Sequence, residues 1–301
     1  MPLHPEAKAV LDHLASVPPL HTLSVAEARA FVLAFTRAMG PGEPVARVED
    51  RLIPAAVGEL PIRLYAPDAA GPLPVLVYFH GGGWTVGDLD TEDRSCRFLC
   101  NAVQCIVVSV NYRHAPENKF PAAANDAYAA TLWVSHHAAS LGGDPHRLAV
   151  GGTSAGGNLA AVVSLMARER QQPRLCFQCL ITPALDHSFE GVSHREFAVG
   201  YGLERATMDW FRSHYLGTPN DGEHVHASPL RAPDLRDLPP ALIITAQYDP
   251  IRDEGHAYAE RLRAAGVPVT YSCREGMIHL YLGADVLVPV ASHLRAAFAS
   301  A

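Results

Sequence analysis

The pentapeptide Gly152-Thr153-Ser154-Ala155-Gly156 lies between an apolar, strand-like segment (147–152) and a helix-like segment (155–170). Glycine and serine are common turn residues, so a GxSxG pattern alone is weak. Between a strand and a helix, however, it is typical of a nucleophile elbow, a strained turn that exposes the serine hydroxyl. The small neighbours allow the chain to turn sharply. We therefore predict that Ser154 is a nucleophile.

A second glycine-rich segment, His80-Gly81-Gly82-Gly83-Trp84, ends another apolar strand-like segment upstream. Three glycines could form no more than a flexible loop. Acyl transfer, however, proceeds through a tetrahedral oxyanion, which must be met by backbone N–H groups with no side chains in the way. We predict that the oxyanion donors are the amides of Gly81, Gly82 and Ala155. His80 is expected to brace this loop rather than to act as a base.

A serine hydroxyl is a poor nucleophile unless an oriented base takes its proton. When the serine lies between a sheet strand and a helix, an acid and then a histidine typically follow on loops after later strands. Asp249 and His279 occupy these places in this order, after the last two strand-like segments. The chain has 16 histidines, but only His279 follows the last strand, whereas His256 lies inside a helix-like segment. The predicted triad is Ser154, Asp249 and His279.

Apolar strand-like segments alternate with helix-like segments from about residue 74 to the end of the chain. This alternation predicts an α/β fold with a mostly parallel sheet that is covered by helices on both faces. Residues 1–45 and 184–226 do not belong to this alternation of strands and helices. We expect the first segment to be helical and to contribute to a cap, and the second to be a cap insertion. The catalytic domain would then comprise residues 46–183 and 227–301.

Composition excludes several other classes of protein. The chain has 301 residues, of which 49% are hydrophobic, and a net charge of −7. An acidic chain without clustered Lys and Arg is not expected to bind nucleic acid. No window approaches the ~18 consecutive apolar residues of a membrane span, and the N-terminus lacks a signal-peptide pattern. We therefore predict a cytoplasmic protein without a membrane span.

Neither a metal nor a cofactor is expected. Six cysteines are few for this length and are consistent with reduced thiols. Cys176 and Cys179 form a CxxC pattern within a strand-like segment. Strand residues three apart point to opposite faces, so these two thiols are not expected to share a metal ion.

Five motifs together resemble the hormone-sensitive-lipase-like group of α/β-hydrolase carboxylesterases, in the branch with a GTSAG elbow. They are HGGGW, NYRHAPE (111–117), GTSAGG, YDPIRDEG (248–255) and the late His279. The resemblance runs from about residue 45 to the C-terminus. It implies an α/β-hydrolase fold, serine esterase activity without a cofactor, and a helical cap that includes the N-terminal segment. It also favours a homodimer through a sheet edge, although no residue of the sequence decides the oligomeric state.

The sequence departs from the group's common pattern at three places. Thr153 stands where many members have Asp, His114 where Leu is common, and Leu280-Tyr281 where Gly-Phe is usual. None of these changes removes a catalytic group, but they affect the pocket shape. The candidate pocket residues are Trp84, Trp210, Phe211 and Leu280, although core packing is an equally good explanation for the three aromatic side chains.

The sequence thus predicts a carboxylesterase that hydrolyses small-molecule esters with short acyl chains, from acetyl to about hexanoyl. One alternative is a non-catalytic ligand-binding protein, because the gibberellin receptors resemble this group but lack the catalytic histidine. Another is a lyase or dehydratase on the same scaffold. A peptidase of this chemistry usually has a large gating domain, for which 301 residues leave little room.

Overall fold

A computed structural model describes residues 2–55, 57–279 and 283–301. Within these residues, eight strands form one sheet in the order β1-β2-β4-β3-β5-β6-β7-β8. The strand β2 is antiparallel to both of its neighbours, and all other adjacent strands from β4 to β8 run parallel. The strands are β1 (Arg47–Pro54), β2 (Glu59–Ala66), β3 (Leu73–Phe79), β4 (Ile106–Val110), β5 (Gly143–Thr153), β6 (Phe177–Ile181), β7 (Ala241–Tyr248) and β8 (Val269–Ile278).

Helices cover both faces of the sheet, as the alternation of segments predicts. One face packs against α4, α5 and α8, and the other against α3 and α9. The central strands β3, β4 and β6 are almost wholly buried, which explains their continuous apolar sequences. The helices are α1 (Pro5–Leu14), α2 (Val25–Ala38), α3 (Asp93–Val103), α4 (Ala122–Leu141), α5 (Ala155–Glu169), α6 (Val192–Glu196), α7 (Arg205–Tyr215), α8 (Arg252–Ala264) and α9 (Ala284–Ala299).

The N-terminal segment is held to the rest of the protein by polar contacts. A capping box begins α2: the Ser24 hydroxyl accepts from the Glu27 N–H, and the Glu27 carboxylate accepts from the Ser24 N–H. From α2, Arg29 donates to the Glu117 carboxylate at 2.7 Å and to the Thr85 carbonyl oxygen at 2.8 Å. These bonds join α2 to the loops that follow β3 and β4.

The structure corrects one boundary close to the predicted triad. Residues 274–279, expected to form a loop after β8, continue the strand as far as Ile278. The continuation is irregular, because the pairing of β7 with β8 shifts register between Ala246 and Tyr248. Gly276 has a φ of 75° at this irregularity. His279 therefore follows the strand directly.

Three further features of the described residues are a short helix, the cysteines and the lengths of the helices. The short helix α6 has no counterpart in the sequence analysis, because its five residues show too little periodicity to predict a helix. All six cysteines are free thiols, including Cys176, just before β6, and Cys179 within it. In the part of the chain that is described, no helix is both long and apolar enough to span a membrane.

Candidate active site

Ser154 lies in the turn between β5 and α5, with φ 56° and ψ −115°. Such a positive φ is costly for a residue with a side chain and is typical of functional turns. The chain can turn this sharply because positions 152 and 156 are glycines, which have no Cβ atom. A Cβ atom on Gly156 would lie 1.9 Å from the carbonyl oxygen of Phe79, and one on Gly152 would lie 2.5 Å from the same oxygen. The predicted elbow is therefore present, and larger residues at these two positions would disrupt it.

Three side chains from three strand ends meet at this turn. The Oγ atom of Ser154 lies 2.9 Å from Nε2 of His279, and Nδ1 of His279 lies 2.8 Å from Oδ2 of Asp249. Asp249 is fully buried, and its other oxygen accepts the Ile251 N–H at 3.0 Å. A carboxylate can only accept, so Nδ1 of His279 bears the proton and Nε2 is left to accept from the serine hydroxyl.

The glycine loop after β3 turns beside the elbow. Gly82 and Gly83 have φ values of 114° and 56°. A Cβ atom on Gly82 would lie 2.1 Å from the carbonyl oxygen of Val86, and one on Gly83 would lie 2.2 Å from the ring of Phe211. Both the backbone conformation and the space therefore require glycine at these two positions.

The amides of this loop differ in whether they have an acceptor. The Gly81 N–H donates to Oε1 of the buried Glu92 at 3.4 Å. The N–H groups of Gly82, Gly83 and Ala155 have no acceptor among residues 2–55, 57–279 and 283–301. Two of the three predicted oxyanion donors thus have a free N–H, the third is engaged by Glu92, and the Gly83 amide is an additional free donor.

His80 contacts the loop rather than the triad, as predicted. Its Nδ1 lies 2.7 Å from the carbonyl oxygen of Gly81, and its Nε2 lies 3.2 Å from Nε2 of His114. Because the Gly81 oxygen accepts only, His80 bears its proton on Nδ1 and His114 donates from Nε2. Burial lowers the pKa of His80 to about 4 and that of His114 to about 3. Both rings are therefore neutral near pH 7.

Ser154, His279 and the glycine loop line one cavity of about 710 Å³. This volume lies within the ~300–1,000 Å³ range of small-molecule sites in proteins. Strand-end loops form one part of the wall, and α2 and α7 form another. The apolar side chains in the wall include Val32, Phe35, Trp84, Val86, Phe189, Leu203, Met208, Phe211 and Ile251.

The four predicted pocket residues have different positions. Trp84 and Phe211 line the cavity, and the Trp84 ring stacks on that of Tyr215 at 4.2 Å. Trp210 lies outside the described wall, where its ring makes T-shaped contacts with the rings of Phe211 and His214. Leu280 lies outside the described residues.

Sequence reasoning missed His187 and Glu92, two buried titratable side chains in the cavity wall. Burial lowers the pKa of His187 to about 4. His187 comes a few residues after β6, so the rule that places functional groups after strand ends could have found it. Glu92 just precedes α3, where a carboxylate normally indicates only a favourable charge at a helix N-terminus.

Acidification should destabilise the protein between about pH 6.5 and pH 4. The folded state favours the neutral forms of the buried His80, His114 and His187, whose pKa values are lowered. Their stabilising contribution is therefore complete above about pH 6.5 and is lost as the pH falls toward their folded-state pKa values. At about pH 5, His80 and His187 should each reduce the free energy of unfolding by about 2 kcal/mol.

Urea unfolding at about pH 7.5 and pH 5 measures this loss. The variant His187→Phe should lose less stability on acidification than the wild type, because one group that titrates on unfolding is gone. An equal free energy of unfolding at the two pH values would contradict the prediction.

With this geometry defined, the chain can be compared with known proteins. A family model described as the alpha/beta hydrolase fold matches residues 76–283, which is more than half of the chain. Carboxylic ester hydrolase LipN of Mycobacterium tuberculosis is 43% identical over 265 residues, which cover 86% of this chain and 70% of that protein. The arylesterase of Saccharolobus solfataricus is 37% identical over 286 residues, which cover 94% of this chain and 93% of that protein.

Solved structures show the same relationship. A serine-to-alanine mutant of an alpha/beta hydrolase enzyme from the metagenome of Lake Arreo, Spain, superposes with a TM-score of 0.94 at 40% identity. The superposition covers 99% of this chain and 98% of the mutant's chain. The hyperthermophilic esterase of Pyrobaculum calidifontis also has a TM-score of 0.94 at 40% identity, with 98% of this chain and 99% of that chain covered.

The chain belongs to the alpha/beta hydrolase family. The resemblance to the hormone-sensitive-lipase-like carboxylesterases, which the five motifs indicate, is thereby confirmed.

Proposed function

We propose that the protein hydrolyses short-acyl carboxylic esters, with Ser154 as nucleophile, His279 as general base and Asp249 as the carboxylate that orients the base. That the chain is a carboxylic ester hydrolase follows from its family and its relatives. The assignment of the three catalytic roles is supported by two hydrogen bonds, 2.8 and 2.9 Å long, which join Asp249 to His279 and His279 to Ser154 at the cavity wall.

In the first half of the reaction, Oγ of Ser154 attacks the ester carbonyl carbon while Nε2 of His279 takes the hydroxyl proton. Asp249 stabilises the imidazolium that forms. The tetrahedral intermediate then breaks its bond to the alcohol oxygen, which receives the proton from His279, and an acyl group remains on Ser154. In the second half, water attacks the acyl carbon with His279 again as base, the bond between that carbon and Oγ of Ser154 breaks, Oγ receives the proton from His279, and the carboxylic acid leaves.

For the oxyanion hole, we propose the amides of Gly82, Gly83 and Ala155. Charge that develops on the carbonyl oxygen requires N–H groups that point at it and have no other acceptor. These three amides meet that condition among the described residues, whereas Gly81 donates to Glu92. Gly81 then has a supporting role in the loop.

We further propose that residues 1–45 and 184–226 form a cap over a catalytic domain of residues 46–183 and 227–301. In support, α2 from the first segment and α7 from the second both contribute side chains to the cavity that contains Ser154. The cytoplasmic location and the homodimer remain predictions from the sequence.

Esters of acetyl to about hexanoyl chains should be the best substrates. The cavity is bounded by both cap segments, and a pocket of limited depth gains only ~1–3 kcal/mol per methylene until the chain meets its wall. The measurement is kcat/KM for a series of p-nitrophenyl esters of increasing acyl length. Faster hydrolysis of the decanoyl ester or of triolein than of the butyryl ester would contradict this prediction.

Covalent labelling tests the proposed nucleophile directly. In diethyl p-nitrophenyl phosphate, Oγ of Ser154 should attack phosphorus, expel p-nitrophenolate and retain the diethylphosphoryl group. Peptide mass spectrometry should place one label per chain on Ser154, and p-nitrophenyl butyrate hydrolysis should fall in proportion to the label. Labelling elsewhere, or full activity in a fully labelled protein, would refute the assignment.

The ester series also separates an esterase from the two alternative functions. A non-catalytic binding protein would hydrolyse no ester of the series, although all three triad positions are filled here. A lyase or dehydratase on this scaffold would also hydrolyse none of these esters. Unlike an esterase, it would form its product without consuming water.

A further inference from the structure

Glu92 has no part in the proposed triad or oxyanion hole, although it lies next to both. It is only 7% exposed and belongs to the cavity wall. Its Oε1 accepts the Gly81 N–H at 3.4 Å, a long hydrogen bond. A Cβ atom on Gly81 would lie 3.8 Å from this oxygen and 3.7 Å from the Cβ of Ser154. The carboxyl group and the nucleophile therefore flank the same point of the glycine loop.

The N-terminus of α3 favours a negative charge at Glu92, but no cationic side chain is hydrogen-bonded to it among the described residues. Its described hydrogen-bond partners are the Gly81 amide and the Ser95 hydroxyl, both neutral. An unpaired carboxylate is costly to bury, and burial raises the pKa of Glu92 to about 7. Arg94, two residues along the chain, donates to the carbonyl oxygens of residues 39–41. The carboxyl group is thus half ionised near neutral pH.

The titratable groups around Glu92 come from several elements. Tyr78 faces it from β3, Tyr112 from the loop after β4, and Cys96 from α3 itself. Burial raises the pKa of each above its ordinary value, so all three stay neutral while Glu92 titrates. The cavity wall also contains Arg94, Glu43, Asp186, His187, Arg212 and the triad histidine His279.

We propose that Glu92 controls the rate of ester hydrolysis as a positioning residue whose carboxyl group must be protonated for full activity. This proposal rests on the proposed function. In either protonation state, a carboxyl oxygen can accept the Gly81 N–H and hold the start of the loop that presents the Gly82 and Gly83 amides, but only the protonated group does so without adding a charge. In the ionised form, the same group places a negative charge beside the oxyanion that develops in the transition state.

The consequence is a loss of rate on the alkaline side. Charges in a site of low polarity interact strongly, so an ionised carboxyl near the oxyanion opposes the stabilisation that its donors provide. As the pH rises through about 7, a growing fraction of the molecules has this charge. The ionisation of Glu92 therefore lowers the rate of the wild type at alkaline pH relative to an enzyme with a neutral side chain at position 92.

The test compares the wild type with Glu92→Gln between about pH 5.5 and pH 9. Glutamine has the same shape and keeps an oxygen for the Gly81 N–H, but it cannot ionise. The ratio of kcat/KM for p-nitrophenyl butyrate, variant over wild type, should be near one at the acid end and rise to at least about 5-fold at the alkaline end. Any pH dependence that does not involve residue 92 is common to both enzymes and cancels in this ratio.

A second readout does not depend on activity. Since the folded-state pKa of Glu92 is raised, its stabilising contribution is complete below about pH 4.5 and is lost as the pH rises through about 7. The melting temperature of the wild type should therefore fall relative to that of Glu92→Gln between about pH 6 and pH 8. The matched control is Glu260→Gln, an exposed glutamate on α8, for which both comparisons should be independent of pH.

The outcomes are distinguishable. If the wild type hydrolyses no ester at any pH, the proposed function is overturned, and the proposal for Glu92 with it. If the wild type is active and the Glu92→Gln ratio is independent of pH, only the proposal for Glu92 is overturned. A melting-temperature difference that is also independent of pH would show that Glu92 does not titrate in this range.

Discussion

Replacement of Ser154 by alanine should lower kcat/KM for p-nitrophenyl butyrate by at least about 10⁴-fold. Alanine removes Oγ, the atom that lies 2.9 Å from Nε2 of His279 and forms the covalent bond to the acyl group. It keeps the Cβ atom, so the backbone strain at φ 56° and the sharp turn are unchanged. The residual rate should be that of water attack assisted by the oxyanion donors alone.

Initial rates with purified wild-type and variant proteins measure this loss, and thermal unfolding checks that the fold is intact. Ser135→Ala is the matched control, because the Ser135 hydroxyl only donates to the Leu132 carbonyl oxygen in α4, away from the cavity. The control should keep wild-type activity. A Ser154→Ala protein that retains more than about a hundredth of the wild-type rate would refute the nucleophile assignment.

Replacement of Asp249 by asparagine should reduce kcat by about 10⁴-fold while the fold is retained. Asp249 accepts from Nδ1 of His279 and from the Ile251 N–H, and it is fully buried. An asparagine amide can donate to Nδ1, which moves the imidazole proton to Nε2. The histidine then presents a proton to Ser154 where it should present a lone pair, and it can no longer act as the base.

The effect should appear mainly in kcat, because Asp249 does not belong to the described cavity wall. Asp237→Asn is a suitable control, since Asp237 is exposed and its positive φ of 60° is well tolerated by asparagine. If Asp249→Asn kept kcat within about 10-fold of the wild type, Asp249 would not be the residue that orients the base.

The convergence of the three proposed triad residues could be predicted from sequence because each of them follows a strand of a parallel sheet. The carboxyl ends of parallel strands lie along one edge, so Ser154, Asp249 and His279 converge even though they are far apart in the chain. The GxSxG motif, together with the order of strands and helices, was sufficient for this inference. The unexpected length of β8 does not affect it, because His279 still follows the strand.

The oxyanion loop was less predictable because the direction of an amide depends on local dihedral angles and on distant acceptors. Gly81 to Gly83 are equivalent in sequence, but in the structure the first amide donates to Glu92, and the next two residues have positive φ values. The cavity wall presents a similar difficulty. Trp210 and Phe211 are adjacent in α7, and the rotation of the helix decides that Phe211 faces the cavity.

The close fit of Gly83 against Phe211 has an implication for evolution and engineering. Phe211 of the proposed cap leaves no space for a side chain at position 83 of the loop. The stack of Trp84 on Tyr215 is a second close contact between the same loop and α7. The loop after β3, which we propose binds the oxyanion, and α7, which contributes to the cavity wall, must therefore change together. Grafting a relative's α7 segment to alter substrate range should succeed only when the loop after β3 is transplanted with it.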